Sequence, residues 1–263
     1  MKTLKQITIF SVVILFFNSC QNNNVRNDLN EVALTGKVKS VIETNYEPIE
    51  KFGDIIKGEK IKGYASSEST LYNNEGNVIE NIRYRSDGEI EYKSILKFDE
   101  KANKIQKDVY NSNKELEGRW EYNYDDKGRI SETNIYDSIG KFIRKIKCEY
   151  DINGRVIEDY TYNSDGKLEE RMTLDYIDAK NKTESIYNAN GDLIFKNVYE
   201  YDENKTLMRQ EYNIYGLYGK DIRTLYTYKY TKYDKEGNWI ERIQYDEENI
   251  PTIITDRKIE YHK

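Results

Sequence analysis

Tyr122-Asn123-Tyr124-Asp125-Asp126-Lys127-Gly128-Arg129-Ile130 is the stretch that decides the fold. Asp directly after an aromatic residue, with Gly three positions further on, is the signature of a type I turn. The carboxylate holds such a turn by bonding to the backbone two residues on. Gly takes the positive φ that closes a three-residue hairpin loop with a bulge. This geometry pairs Tyr124 with Ile130 on one side of the sheet and Asp125 with Arg129 on the other.

The stretch recurs. One lane of aromatics is Tyr72, Phe98, Tyr124, Tyr150, Tyr176, Tyr201 and Tyr233; a second is Tyr84, Tyr110, Tyr136, Tyr162, Tyr187, Tyr212 and Tyr245. From Tyr72 to Tyr176 the step in the first lane is 26 residues, and the second lane starts 12 residues later. A fixed period of this size marks a repeat architecture. Asp or Asn follows the aromatic in twelve of the fourteen units and Gly stands at the fourth position in nine, so the same hairpin is expected at both ends of successive strands. The Gly is missing at Ala102, Lys114, Lys180, Lys205 and Asn249.

Between turns the residues alternate. Leu116, Gly118, Trp120, Tyr122 and Tyr124 interleave with Glu117, Arg119, Glu121 and Asn123, which is the strand pattern, and no convincing helical spacing appears in the repeats. Turns every 12–14 residues imply an antiparallel meander of about fifteen or more strands. A sheet with one apolar face must bury it, and one this wide curls. The expected fold is therefore all-β: a repetitive hairpin meander forming a large curled or barrel-like sheet, tyrosines inside and charges outside. Cys148, in the run Phe142, Ile146, Cys148, Tyr150, reads as a small hydrophobe of that inner face.

Tyr122 to Ile130, and Glu149-Tyr-Asp-Ile-Asn-Gly-Arg-Val156, resemble the YD repeat of the RHS family, Tyr-x-Tyr-Asp-x-x-Gly-Arg followed by an apolar residue. The resemblance covers about residues 71–250. In large RHS proteins such repeats wind into a β-shell around a toxin domain. This chain is similar instead to short YD-repeat lipoproteins of Bacteroidetes-type bacteria, so the resemblance implies fold and little about activity.

The N-terminal segment has its own logic. Lys2 and Lys5 precede the apolar run Ile7–Phe17, which leads to Asn18, Ser19 and Cys20. That order is a secretory signal, and it resembles a bacterial lipoprotein signal with Cys20 as the lipidated residue. About eleven apolar residues are too few to span a bilayer. The expected division is a signal at 1–19, a flexible polar tether at 20–34 and the repeat domain at 35–263. The expected location is the cell outer membrane, lipid-anchored and facing the periplasm or the surface.

Composition narrows the function. The chain has 25 Tyr, 33% charged residues and a net charge of −6, with lysines and arginines interspersed among acids. No basic stripe exists to follow a phosphate backbone, so nucleic acid is not an expected partner. The only histidine, His262, reads as solvated, which leaves a His-dependent nucleophile without its base. Repeated acids at turn positions read as turn chemistry rather than a glycosidase pair or a calcium loop. No cofactor or metal is expected. Asp137-Ser138-Ile139 resembles a short O-glycosylation sequon of Bacteroidetes envelope proteins, at a turn.

The repeat is interrupted between Tyr212 and Tyr233, where 21 residues add Tyr215, Tyr218, Tyr226, Tyr228 and Tyr230. Insertions in repeat arrays tend to lie on a binding face, so these five form the candidate recognition surface, the alternative being a bulge or strand exchange in the core. The favoured reading is a non-enzymatic envelope lipoprotein that presents a β-repeat surface for protein binding or scaffolding. The alternatives are a glycan binder, a toxin or immunity accessory, and a carboxylate-based hydrolase.

Overall fold

The computed structural model describes residues 28–62, 66–178 and 180–263. Cys20, the signal segment and the first part of the tether lie outside the described residues. A four-residue helix, α1 (Asp28–Glu31), is followed by β1 (Val38–Lys51), β2 (Asp54–Lys60), β3 (Ser67–Tyr72), β4 (Val78–Tyr84), β5 (Ile90–Phe98) and β6 (Lys104–Asn111). The meander continues through β7 (Leu116–Tyr124), β8 (Ile130–Asp137), β9 (Phe142–Tyr150), β10 (Val156–Asn163), β11 (Leu168–Tyr176) and β12 (Asn181–Asn188). It ends with β13 (Leu193–Tyr201), β14 (Leu207–Leu217), β15 (Lys220–Tyr233), β16 (Trp239–Tyr245) and β17 (Pro251–Tyr261).

From β3 to β17 every strand pairs antiparallel with the next, and β1 closes the ring between β3 and β17. Val41 lies opposite Thr70 on one side and Ile259 on the other. The result is a closed 16-stranded barrel, with β2 added outside the ring as the partner of the far half of β1. Lys57 of β2 reaches Asp256 at 2.6 Å and Glu241 at 3.2 Å. Closure satisfies the backbone of every strand in the ring and leaves it no open edge.

The turns form as the sequence dictates. Gly128, Gly140 and Gly154 have φ between 74° and 82°, and Asp125, Asp137 and Asp151 each accept the backbone N–H two residues on at 2.9–3.0 Å. Arg129 and Arg155 meet Asp125 and Asp151 as ion pairs. Tyr124 faces Ile130, and Tyr150 faces Val156.

The two aromatic lanes do not share a face, which corrects the expectation of tyrosines inside throughout. The inner wall is marked by the buried cluster Ile135, Ile146, Val156, Met172 and Leu174, on which Trp120, Cys148, Tyr150 and Tyr176 pack. Tyr136, by contrast, lies opposite Arg119 and Phe142, on the outer wall. The cause is a second irregularity beside the turn: after Tyr124 pairs with Ile130, Asn123 pairs with Glu132. The extra residue shifts the period-2 phase by one, so Thr133 and Ile135 point inward and Tyr136 outward. Tyr212 is the exception in its lane. It combines the extra residue beside its turn with a spacing one residue shorter, and lies opposite the buried Asn197, so it faces inward. Tyr187 has the shorter spacing without the extra residue and faces outward, opposite Arg171.

The outer wall is charged. Lys93–Glu80, Arg119–Asp108, Lys145–Glu132, Arg171–Glu158 and Arg223–Glu211 pair across strands at 2.6–3.4 Å.

Residues 28–34 are not tether. Leu29 and Leu34 are buried with Val38, Val41 and Tyr72, and the Val78 N–H donates to the Asp28 carboxylate at 2.7 Å. Leu29 and Leu34 dock this segment on the rim. His262 is likewise not simply solvated: it is half-buried, its N–H bonds the Lys37 carbonyl at 2.8 Å, and its Nε2 lies 3.2 Å from the Tyr72 carbonyl.

Candidate functional site

The inner wall changes character around the ring. On β8, β9 and β11 the inward positions carry Ile135, Ile146, Met172 and Leu174, and the lumen there is packed. On β3, β4 and β5 the inward positions carry Thr70, Asn81 and Ser94. These small polar side chains leave a cavity of about 260 Å³ between β3 and β7. Asp28 and the half-exposed Val32 of the N-terminal segment border it at the rim.

Cations and rings converge on this cavity. Lys107 Nζ sits 4.2 Å from the centroid of the Trp120 ring, Arg83 stacks 4.8 Å from that of Tyr92, and Lys104 lies 5.4 Å from that of Tyr122. Such contacts strengthen where water is excluded. Burial pushes the Lys107 ammonium down to about 8, with Glu68 opposing. Burial pushes the Tyr92 phenol up to about 12, with Glu68 adding to the rise. Glu68 accepts from Asn81 Nδ2 at 2.7 Å and lies 3.6 Å from the Arg83 guanidinium. Arg83 is only 9% exposed, and its Nε is buried without a hydrogen-bond partner. Buried guanidinium donors of this kind are costly to leave unmade.

Two further polar clusters line the lumen, one on β12 and β13 and the other on β1 and β17, where Glu43 lies directly opposite Glu68 of the cavity. Glu184, almost fully buried, takes the Tyr199 hydroxyl at 2.8 Å and the Lys182 ammonium at 2.9 Å. Glu43 takes Arg257 Nε at 2.6 Å, and the Arg257 guanidinium lies 3.4 Å from the Trp239 ring centroid. Burial opposes the charge on Glu43, but Arg257 and Arg242 prevail and hold its carboxyl below the usual range. Among the described residues, no group of three or more His, Cys, Asp or Glu is arranged to hold a metal ion.

The five tyrosines singled out in the sequence separate. Tyr226, Tyr228 and Tyr230 lie on the inner wall, since Tyr228 faces Gln244 and Tyr230 faces Arg242 across β16. Tyr228 is 7% exposed and donates to Gln210 Oε1 at 3.0 Å, and the Tyr230 hydroxyl bonds the Leu207 carbonyl at 2.7 Å. Tyr215 is half-buried near the end of β14, while Tyr218 stands fully exposed at the tip of the β14–β15 turn. These five therefore share no single outward face. Ile139 of the Asp137-Ser138-Ile139 stretch is exposed at its own turn tip. The cavity residues escaped the sequence reading because they fall in the early, degenerate units. The one signal was the replacement of apolar inward positions by Thr70, Asn81 and Ser94.

The fold is a closed antiparallel repeat barrel, and a solved structure shares it. A porin-like protein from Bacteroides uniformis superposes with a TM-score of 0.55 at 12% identity, over 86% of this chain and 98% of that one. A porin-like protein from Bacteroides vulgatus matches over 87% and 99% with a TM-score of 0.44 and 12% identity. A Photorhabdus luminescens Tc holotoxin pore matches with a TM-score of 0.25 at 14% identity, over 73% of this chain and 12% of that one. No protein-family model and no curated protein matches the chain.

Proposed function

We propose that this chain is a non-enzymatic lipoprotein of the bacterial cell envelope that uses a YD-type repeat barrel as a body for binding or scaffolding. The observation that carries the reading is the sidedness of the wall. Cross-strand charged pairs recur on the outer wall from strand to strand, among the second-lane tyrosines, while the continuous aliphatic cluster faces the lumen. A barrel embedded in lipid needs an apolar outer band, and each Lys or Arg at the bilayer midplane costs about 2–4 kcal/mol. A charged exterior suits a barrel held beside a membrane, and the lipid on Cys20 supplies the hold. The Asp-x-x-Gly hairpins with their Tyr-apolar pairs support the YD-repeat assignment.

Lipid labelling in cells tests the anchor. The wild-type chain takes up label and fractionates with the outer membrane, whereas Cys20→Ala does neither. Label retained by Cys20→Ala would refute the anchor. A pull-down from native envelope with the lipidated protein then separates a protein scaffold from other roles. A second reading, a glycan binder, is favoured by the ring-lined lumenal cavity. Glycan-array binding, or a ligand-induced rise in Tm, distinguishes it from a scaffold.

A further inference from the structure

The geometry points to the cavity between β3 and β7 as a binding site for a small molecule that carries one oxyanion group, a carboxylate or a phosphate, held by Arg83 and Lys107. This inference goes beyond the envelope reading and does not depend on the lipid anchor.

Two cationic side chains at the cavity, Arg83 and Lys107, keep donors that the described protein groups do not satisfy. Three cationic side chains, Arg83, Lys104 and Lys107, face it against two acids, Asp28 and Glu68. Both acids are engaged: Asp28 accepts the Val78 N–H, and Glu68 is held by Asn81 and Arg83. The Arg83 Nε has no acceptor although the side chain is nine-tenths buried. Lys107 rests on the Trp120 ring and forms no ion pair among the described residues. Arg83 and Lys107 share the single nearby carboxylate of Glu68, and the Arg83 Nε–H is unmet, so an incoming anion would recover part of the cost of burying these groups. On the outer wall, by contrast, Lys93, Arg119, Lys145, Arg171 and Arg223 are each paired across strands.

Shape and composition agree with this. At about 260 Å³ the space is at the small end of natural ligand sites. It admits a molecule of about a sugar's or a benzoate's size and little more. Guanidinium and ammonium donors bind a carboxylate or phosphate strongly when water is excluded. Tyr72, Tyr92 and Tyr122 supply apolar walls for the rest of the molecule. Val32, half-exposed, borders the cavity.

Calorimetric titration of the purified full chain tests the assignment with matched pairs: glucuronate and glucose 6-phosphate against glucose, and benzoate against benzamide. At least one anion of the set binds saturably, and its uncharged counterpart binds at least tenfold more weakly. Lys107→Met weakens that anion at least tenfold, while Lys107→Arg, which keeps the charge, stays within about threefold. Circular dichroism melts confirm that both variants fold. Should Lys107→Met fail to fold, the wild-type comparison of charged and uncharged partners still decides. No saturable binding by any anion, or equal binding of glucose and glucuronate together with equal binding of benzamide and benzoate, overturns the proposal. Because the titration needs no membrane, its failure is separate from failure of the anchor.

Discussion

The Tyr150 hydroxyl donates to the Ile130 carbonyl oxygen at 2.7 Å, across two strands and twenty residues of chain. Tyr124 does the same to Lys104 at 2.6 Å, also over twenty residues, so both of these inward rings reach back to the carbonyl at the previous hairpin on their rim. These phenols therefore link neighbouring repeats as well as filling the lumen. Tyr150→Phe is expected to cost about 1 kcal/mol, the worth of the bond. Tyr150→Ala is expected to cost about 3–5 kcal/mol, because the ring packing goes too. Urea unfolding of both variants checks this, and equal costs would show that the hydroxyl contributes nothing.

Ala102, Lys114, Lys205 and Asn249 hold left-handed φ angles of 61–66° where most units have Gly. An L-residue in that region carries strain of roughly 1–2 kcal/mol. Ala102→Gly and Lys205→Gly should each stabilise the barrel by about 0.5–1 kcal/mol, part of the relief being offset by backbone entropy. Gly128→Ala should destabilise by about 1 kcal/mol for conformational reasons alone, since a Cβ there would meet no atom within 4 Å. Thermal melts of the three variants decide, and a drop in Tm for both glycine gains would contradict the turn argument.

Within the tyrosine-rich interruption, position decides the consequence. Tyr228→Ala removes a buried ring and its bond to Gln210, for an expected loss of about 3–5 kcal/mol. Tyr218→Ala, at an exposed turn tip, should stay within about 0.5 kcal/mol. Comparable losses in the two would show that Tyr228 does not pack in the lumen.

Asp159 gives the barrel a pH dependence of predictable sign. It lies on the inner wall opposite Cys148 and Met172, and burial, with Glu170 and Glu184 adding repulsion, pushes its carboxyl up to about 7. In the unfolded chain it ionises near the ordinary value of 3.8. Between these values the folded state keeps a proton that the unfolded state has released, so this contribution to stability falls as pH rises and is fully lost above about pH 7. Asp159→Asn should therefore stabilise the protein by on the order of 2–4 kcal/mol at pH 8 and change little at pH 4. Denaturation at both pH values checks it; an identical effect at each would remove the carboxyl as the cause.

Asn238 binds the N-terminal segment to the barrel. Its amide accepts from the Thr35 N–H at 2.8 Å and donates to the Thr35 carbonyl and the Tyr261 hydroxyl at 2.8–2.9 Å. Asn238→Leu removes the partner of the Thr35 N–H and carbonyl, while Tyr261 keeps its bond to Asp234, at an expected cost of about 1–3 kcal/mol. Hydrogen exchange should accelerate at Leu29 to Thr35 while the mid-barrel amides of β8 and β9 keep their protection. Unchanged exchange at Leu29 would mean that another contact docks the segment.

The chain's own residues determined the local unit: Asp and Gly set the turn, and the turn set the pairing of Tyr124 with Ile130 and of Tyr150 with Val156. These are contacts between residues six apart, so short-range chemistry decides them and the sequence displays it. Three other features were decided only in the folded molecule. The ring closes because β1 pairs with β17, residues more than two hundred apart, and no local pattern records such a partner. Most of the second lane of tyrosines faces outward because an extra residue beside the turn shifts the strand phase, as between Tyr124 and Glu132, a step that residue identities alone do not reveal. The candidate site exists because Thr70, Asn81 and Ser94 on successive strands leave the same space, and a void is a property of the packed barrel rather than of any one repeat.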